Sequence, residues 1–186
     1  MNKEEKGRKL ARCFICLELP REAIEYIEEL QKQIKKKNFF AGKMTEPENL
    51  HLTLKFLGEV DEKKLEKVQA KLGEIKMPRF EANLGEIGMF GSRILWIKLN
   101  GKQIWDLQEA IDKELADMFL KEERFMSHLT IARMKKVYSK KYFLEYIEGM
   151  KIKEIKFLVK EFVLKKSELK PGGPVYSDIE RYNLIP

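Results

Sequence analysis

Apolar residues recur along this chain in two rhythms: unbroken or alternating over short runs, and every third to fourth position over longer ones. Residues 13–19 are almost wholly apolar over a short run, which predicts a buried strand. Pro20 opens a helix over 20–37, with Ala23, Ile24, Ile27, Leu30 and Ile34 on one stripe. A loop carrying Gly42 and Pro47 leads to a strand over 51–57. Asp61 can cap a second helix, whose Leu65, Val68, Leu72 and Ile75 share a face. Strands over 79–89 and 94–99 follow, with Gly88 and Gly91-Ser92 marking the turn. A third helix over 102–120 follows from Ile104, Leu107, Ile111, Leu115 and Met118, then a strand over 127–133. Ser139 can cap a short helix to Ile147. Strands over 152–165 and 175–183 then flank the turn Pro171-Gly172-Gly173-Pro174.

Helices mixed with adjacent strand pairs specify an α+β fold with antiparallel sheet. The order of elements also repeats. Residues 11–75 and 94–147 each run strand, helix, strand, helix, and each is followed by a strand pair. The expectation is one bilobal domain over 1–186. It has two pseudo-symmetric lobes, each an antiparallel sheet flanked by helices, with a groove between them.

The repeat carries chemistry. The middle strand of the first unit reads His51-Leu52-Thr53-Leu54 and that of the second reads His128-Leu129-Thr130-Ile131. These are the two histidines of the protein. Leu at +1 and Thr at +2 after both has chance odds on the order of one in ten thousand from background composition. On a strand, residues i and i+2 share a face, so each motif presents an imidazole beside a hydroxyl while Leu52, Leu54, Leu129 and Ile131 anchor behind. Two such strands facing each other suit an in-line displacement at phosphorus. One imidazole takes a proton, the other gives one, and the hydroxyls hold phosphoryl oxygens. As metal ligands the two histidines lack a third partner: there is no H-x-H, no H-x-x-x-H and no nearby acidic cluster.

Composition narrows the partner. The 186 residues carry a net charge of +7, a pI near 9.2 and 36% charged residues, a balance that favours an anionic partner such as nucleic acid. Lys35-Lys36-Lys37 and Lys135-Lys136 read as solvated surface and helix C-terminal charge rather than as backbone-phosphate contacts. No apolar run is long enough to span a membrane, and the charged stretch 1–10 lacks the core of a secretory signal, so a cytoplasmic protein is expected. Cys13 and Cys16 form a C-x-x-C. On a strand they point to opposite faces, so they are expected as buried thiols rather than as a chelate.

The extended motifs, Asn49-Leu50-His51-Leu52-Thr53-Leu54-Lys55-Phe56-Leu57-Gly58 and Ser127-His128-Leu129-Thr130-Ile131-Ala132-Arg133, resemble the 2H phosphoesterase superfamily, and within it the RNA 2',3'-cyclic phosphodiesterases, also called 2'-5' RNA ligases. The likeness covers essentially the whole chain. The opening Arg12-Cys13-Phe14-Ile15-Cys16-Leu17-Glu18-Leu19-Pro20 is similar to the family's first strand, and Ser167 through Tyr176 to its C-terminal signature. The resemblance implies a metal-independent, cofactor-free opening of a terminal 2',3'-cyclic phosphate to a 2'-phosphate and a 3'-hydroxyl. His51 would be the acid, His128 the base, and Thr53 and Thr130 the phosphate binders. Arg133 would add charge at the phosphate. Phe14 and Phe56 would stack on a base, with core packing the alternative for both. The implied partners are RNA ends, tRNA halves among them, or 2',3'-cyclic nucleotides; nothing in the sequence requires more than a monomer.

Two other functions compete. A non-catalytic RNA-binding module would need no protonatable pair, which the intact motifs count against. A relative acting on small cyclic nucleotides is less favoured by so basic a chain. The same site can also run in reverse and join RNA ends through a 2'-5' linkage.

Overall fold

The computed structural model describes residues 10–186, so most of the charged N-terminal stretch lies outside the described residues. The chain runs β1 (Ala11–Glu18), α1 (Arg21–Lys36), β2 (Phe40–Met44), a 3₁₀ turn (Pro47–Asn49), β3 (His51–Val60) and α2 (Glu62–Gly73). It continues through β4 (Phe80–Phe90), β5 (Ile94–Asn100), α3 (Lys102–Glu114), β6 (His128–Val137) and α4 (Lys140–Glu148). It closes with β7 (Lys156–Val159), β8 (Glu161–Lys170) and β9 (Gly173–Asn183). Asp61 caps α2 as expected, its carboxylate accepting from the Lys64 amide at 2.9 Å, while Ser139 sits at the α4 N-cap without a side-chain bond.

The α+β architecture with two antiparallel lobes is observed. Strand order is β7-β4-β5-β6-β3-β1-β8-β9, with β2 added beside β6. The lobes meet where β3 and β6 touch at a single antiparallel pair, Leu52 opposite Leu129. Each lobe is assembled from both halves of the chain. β4, from the first half, pairs with β5, and β8, from the second, pairs with β1. Helix α1 packs against β6 and α3 against β3, which buries Ile27, Ile34, Ile104 and Ile111 under the opposite lobe.

Three elements differ from the sequence pattern. The segment carrying Gly42 is strand β2, not loop. A Cβ at Gly42 would lie 2.3 Å from the Arg133 carbonyl oxygen, so the strand can approach β6 this closely only with glycine there. The single strand expected over 152–165 is two, because the chain leaves β4 in one lobe at Val159 and joins β1 and β9 in the other from Glu161. Helix α3 stops at Glu114 rather than 120. Beyond it the chain turns back, held by the buried Lys55–Asp112 pair, with Lys55 Nζ donating to the Leu120 carbonyl at 2.7 Å and the Glu122 amide donating to Asp112 at 3.0 Å.

No helix is long and apolar enough to cross a membrane among the described residues. Cys13 and Cys16 are free and buried on opposite faces of β1, Cys13 in the main core and Cys16 with Phe14 and Val163. Burial pushes both thiols up, that of Cys16 to about 12, so neither is a thiolate near neutrality.

Candidate active site

Both histidine strands alternate as expected over their first four residues. Leu52, Leu54, Leu129 and Ile131 are buried, while His51, Thr53, His128 and Thr130 are half-buried on the groove face. The antiparallel register through Leu52 and Leu129 sets His51 across from Thr130 and Thr53 across from His128. Four polar side chains thereby surround the pseudo-twofold axis, with the leucine pair as its floor. They line one groove of about 830 Å³ together with Phe56, Arg133 and Tyr176.

A bulge at the same place in both repeats decides what else faces the groove. Ile15 pairs with Lys55 and Cys16 with Thr53, which skips Leu54. Leu95 pairs with Ala132 and Trp96 with Thr130, which skips Ile131. The extra residue shifts the alternation by one. Lys55 and Ala132, four residues after each histidine, are buried. Phe56 and Arg133, five residues after, turn into the groove instead, Phe56 with 70% of its surface exposed.

The imidazoles are held in the same way. The Nδ1–H of His51 donates to the Asn49 carbonyl at 2.8 Å, and that of His128 donates to the Met126 carbonyl at 2.7 Å. A carbonyl only accepts, so both rings carry their proton on Nδ1 when neutral and leave Nε2 as the atom that exchanges protons. The Nε2 of His51 also takes a bond of 3.1 Å from the Thr53 hydroxyl. Aromatic rings fix the ring planes. Phe14 lies 4.9 Å and Tyr176 5.3 Å from His51, and Phe90 stands edge-on 4.9 Å from His128.

Of the two readings open for the phenylalanines, packing describes Phe14, which is 3% exposed against His51 and Tyr176, and an open platform describes Phe56. The motifs do not single out Tyr176 or Asn49 as site residues. Both sit beside residues that they do, Asn49 two before His51 and Tyr176 after the Gly-Gly-Pro turn, whose Pro174 carbonyl accepts from Asn49 at 3.2 Å.

The environment of His51 is charged as well as apolar. Burial pushes its pKa down to about 4. The Asn49 carbonyl and Glu18 favour the proton, while Lys165 and Arg133 disfavour it. On its own, the groove therefore holds His51 as a neutral imidazole at physiological pH. No group of three or more His, Cys, Asp or Glu side chains placed to hold a metal ion occurs among the described residues.

A family model described as LigT like Phosphoesterase matches the chain twice, over residues 17–96 and 97–176. The chain belongs to this phosphoesterase family. The boundary between the two matches falls inside β5, so each contains one His-x-Thr motif, and the enzyme is a hydrolase whose repeat is visible in its sequence as in its fold. The phosphoesterase is 34% identical over 177 residues to the RNA 2',3'-cyclic phosphodiesterase of Methanocaldococcus jannaschii, an alignment covering 92% of this chain and 99% of that one. A crystal structure of a Thermus thermophilus protein superposes with a TM-score of 0.76 at 27% identity, over 93% of this chain and 97% of that one. The structure of E. coli LigT complexed with phosphate gives 0.74 at 25% identity, over 96% and 99%.

Proposed function

We propose that the groove opens the 2',3'-cyclic phosphate at the end of an RNA, leaving a 2'-phosphate and a 3'-hydroxyl. The observation that carries the reading is the pair of imidazoles around one axis, each tied at Nδ1 with Nε2 left to exchange protons, and each with a threonine hydroxyl beside it. Water attacks phosphorus as the Nε2 of His128 takes its proton. The bond from phosphorus to O3' breaks, and the Nε2–H of His51 delivers a proton to that oxygen. One water is consumed, and no metal or cofactor is called for. Thr53, Thr130 and Arg133 hold the non-bridging oxygens, and the guanidinium compensates their charge. Phe56 offers its free face to the terminal base, while Phe14 holds the His51 ring from below.

The acid role of His51 requires a proton that the groove alone does not favour. The anionic phosphate supplies the opposite charge that draws it in, so acid and substrate assemble together. Support comes from the relative of M. jannaschii, named for this activity, and from LigT, whose structure holds phosphate. Reversal, with a 5'-hydroxyl as nucleophile, would use the same two atoms to make a 2'-5' linkage.

Incubation with EDTA and a short RNA ending in a 2',3'-cyclic phosphate, followed by analysis of the product end, tests the reading. A 2'-phosphate with a 3'-hydroxyl is expected. A 3'-phosphate product, or turnover that appears only with added divalent metal, would overturn it.

A further inference from the structure

The two halves of the site match in motif, bulge and ring tethering, yet an acid and a base must differ. The difference lies one strand away. In the β1–β3 register Glu18 stands directly opposite His51, and in the β5–β6 register Lys98 stands directly opposite His128. Directly paired residues share a face with their Cβ atoms about 5 Å apart. The pseudo-twofold thus sets an anion against one histidine and a cation against the other.

Glu18 is built in firmly. Its Oε1 lies 2.6 Å from Lys165 Nζ and its Oε2 lies 2.8 Å from Arg181 Nη2. Lys165, with 11% of its side chain exposed, and Arg181 both also pair with Asp178. Burial alone would raise the Glu18 pKa, but these hydrogen bonds hold the carboxyl ionised. The charged groups acting on His51 are Lys165 from β8, Glu18 from β1 and Arg133 from β6, with Arg181 and Asp178 from β9 and Glu161 from β8 completing the ion-pair cluster behind Glu18. Without Glu18 the three cations outnumber Asp178 and Glu161. Around His128, Lys98 from β5 is paired with Glu86 of β4 at 3.4 Å, and Glu122 and Arg124 border the groove.

We propose that Glu18 is a positioning residue for proton transfer: facing His51, it offsets the surrounding cations and so lets that imidazole take, with phosphate bound, the proton that it donates, whereas His128 is faced by Lys98. The inference rests on the two-histidine reading above and adds to it a physical reason for the roles.

Because the chain has two histidines, both imidazoles can be followed by NMR titration in the presence of inorganic phosphate, beside kcat and KM on the cyclic-phosphate RNA. Glu18→Gln is expected to weaken the proton affinity of His51 and to lower kcat at neutral pH, each by about tenfold, with KM within about twofold. Glu18→Asp, which keeps the charge, should recover most of both. A Glu18→Gln protein that melts earlier but keeps its kcat and its His51 titration would make the residue structural only and overturn the proposal, as would a rise in kcat. Should Glu18→Gln not fold, Lys98→Glu poses the same question from the other histidine's side. An anion facing His128 should lower kcat about tenfold, and an unchanged kcat would refute the inference. Failure of the wild type to turn over would instead strike the proposed function, since the His51 titration with phosphate reads the Glu18 effect without turnover.

Discussion

Replacing Lys55 by methionine keeps the length of a buried stem and removes its charge. Lys55 and Asp112 are each 3% exposed in their side chains, and the ammonium also donates to the Leu120 carbonyl at 2.7 Å. Asp112 would be left buried and negative with two donors, Gln108 Nε2 at 2.7 Å and the Glu122 amide at 3.0 Å. Removing one partner of a buried pair costs about 3–5 kcal/mol. The two donors that remain place the cost near the lower figure, about 3 kcal/mol, or roughly 6–12 °C in Tm for a chain of this size. The pH dependence carries a sign. Burial would raise the Asp112 pKa, but bonds from Lys55, Gln108 and Glu122 hold it low, so its contribution is complete above the unfolded carboxylate range and fades as pH falls through the folded value. In the variant, Asp112 takes up a proton more readily. The stability gap to the wild type should therefore be widest at neutral pH and narrow below about pH 4. Urea unfolding at several pH values measures it, and the double variant Lys55→Met/Asp112→Leu should regain most of the loss. A gap under about 1 kcal/mol at neutral pH, or one that stays constant into acid, would mean that the buried pair does not hold this turn.

Three further outcomes follow from the same geometry. Gly42→Ala drives a Cβ into the Arg133 carbonyl and the Met134 Cα, 2.3 and 2.8 Å away, and should cost about 1–3 kcal/mol in thermal unfolding as β2 lifts from β6. Phe56→Ala, at an open position, should change stability by less than about 0.5 kcal/mol while raising KM for RNA ends about 5- to 100-fold, the worth of one stacked base. Residues 1–92 and 93–186 expressed separately should show no cooperative unfolding, because each half lacks strands and a helix that the other supplies.

Much of this site can be read from the sequence because it depends on spacing at short range. His-x-Thr on a strand puts ring and hydroxyl on one face wherever the strand lies, and two such motifs that together use both histidines identify the pair. Alternation fails at the bulge. Counting by two from His51 points Lys55 into the groove and Phe56 away from it, whereas skipping Leu54 reverses both; resemblance, not periodicity, selects Phe56 and Arg133. Strand β2 has no alternation because its five residues include a glycine chosen for close approach. The break at Lys160 depends on which lobe the chain is joining. Glu18 and Lys98 look like ordinary charged strand residues until the register sets each one opposite a histidine.

In the proposed reaction one imidazole takes a proton and the other gives one. The pH dependence of kcat/KM for the wild type, His51→Ala and His128→Ala on the same cyclic-phosphate RNA separates the two. The wild type should give a bell with one limb in the acid range near the depressed pKa of His51, about 4. Each alanine variant should lose about 10²- to 10⁴-fold and keep one limb only. A wild-type profile flat from acid to alkaline pH, or either variant within about tenfold of the wild type, would contradict the account.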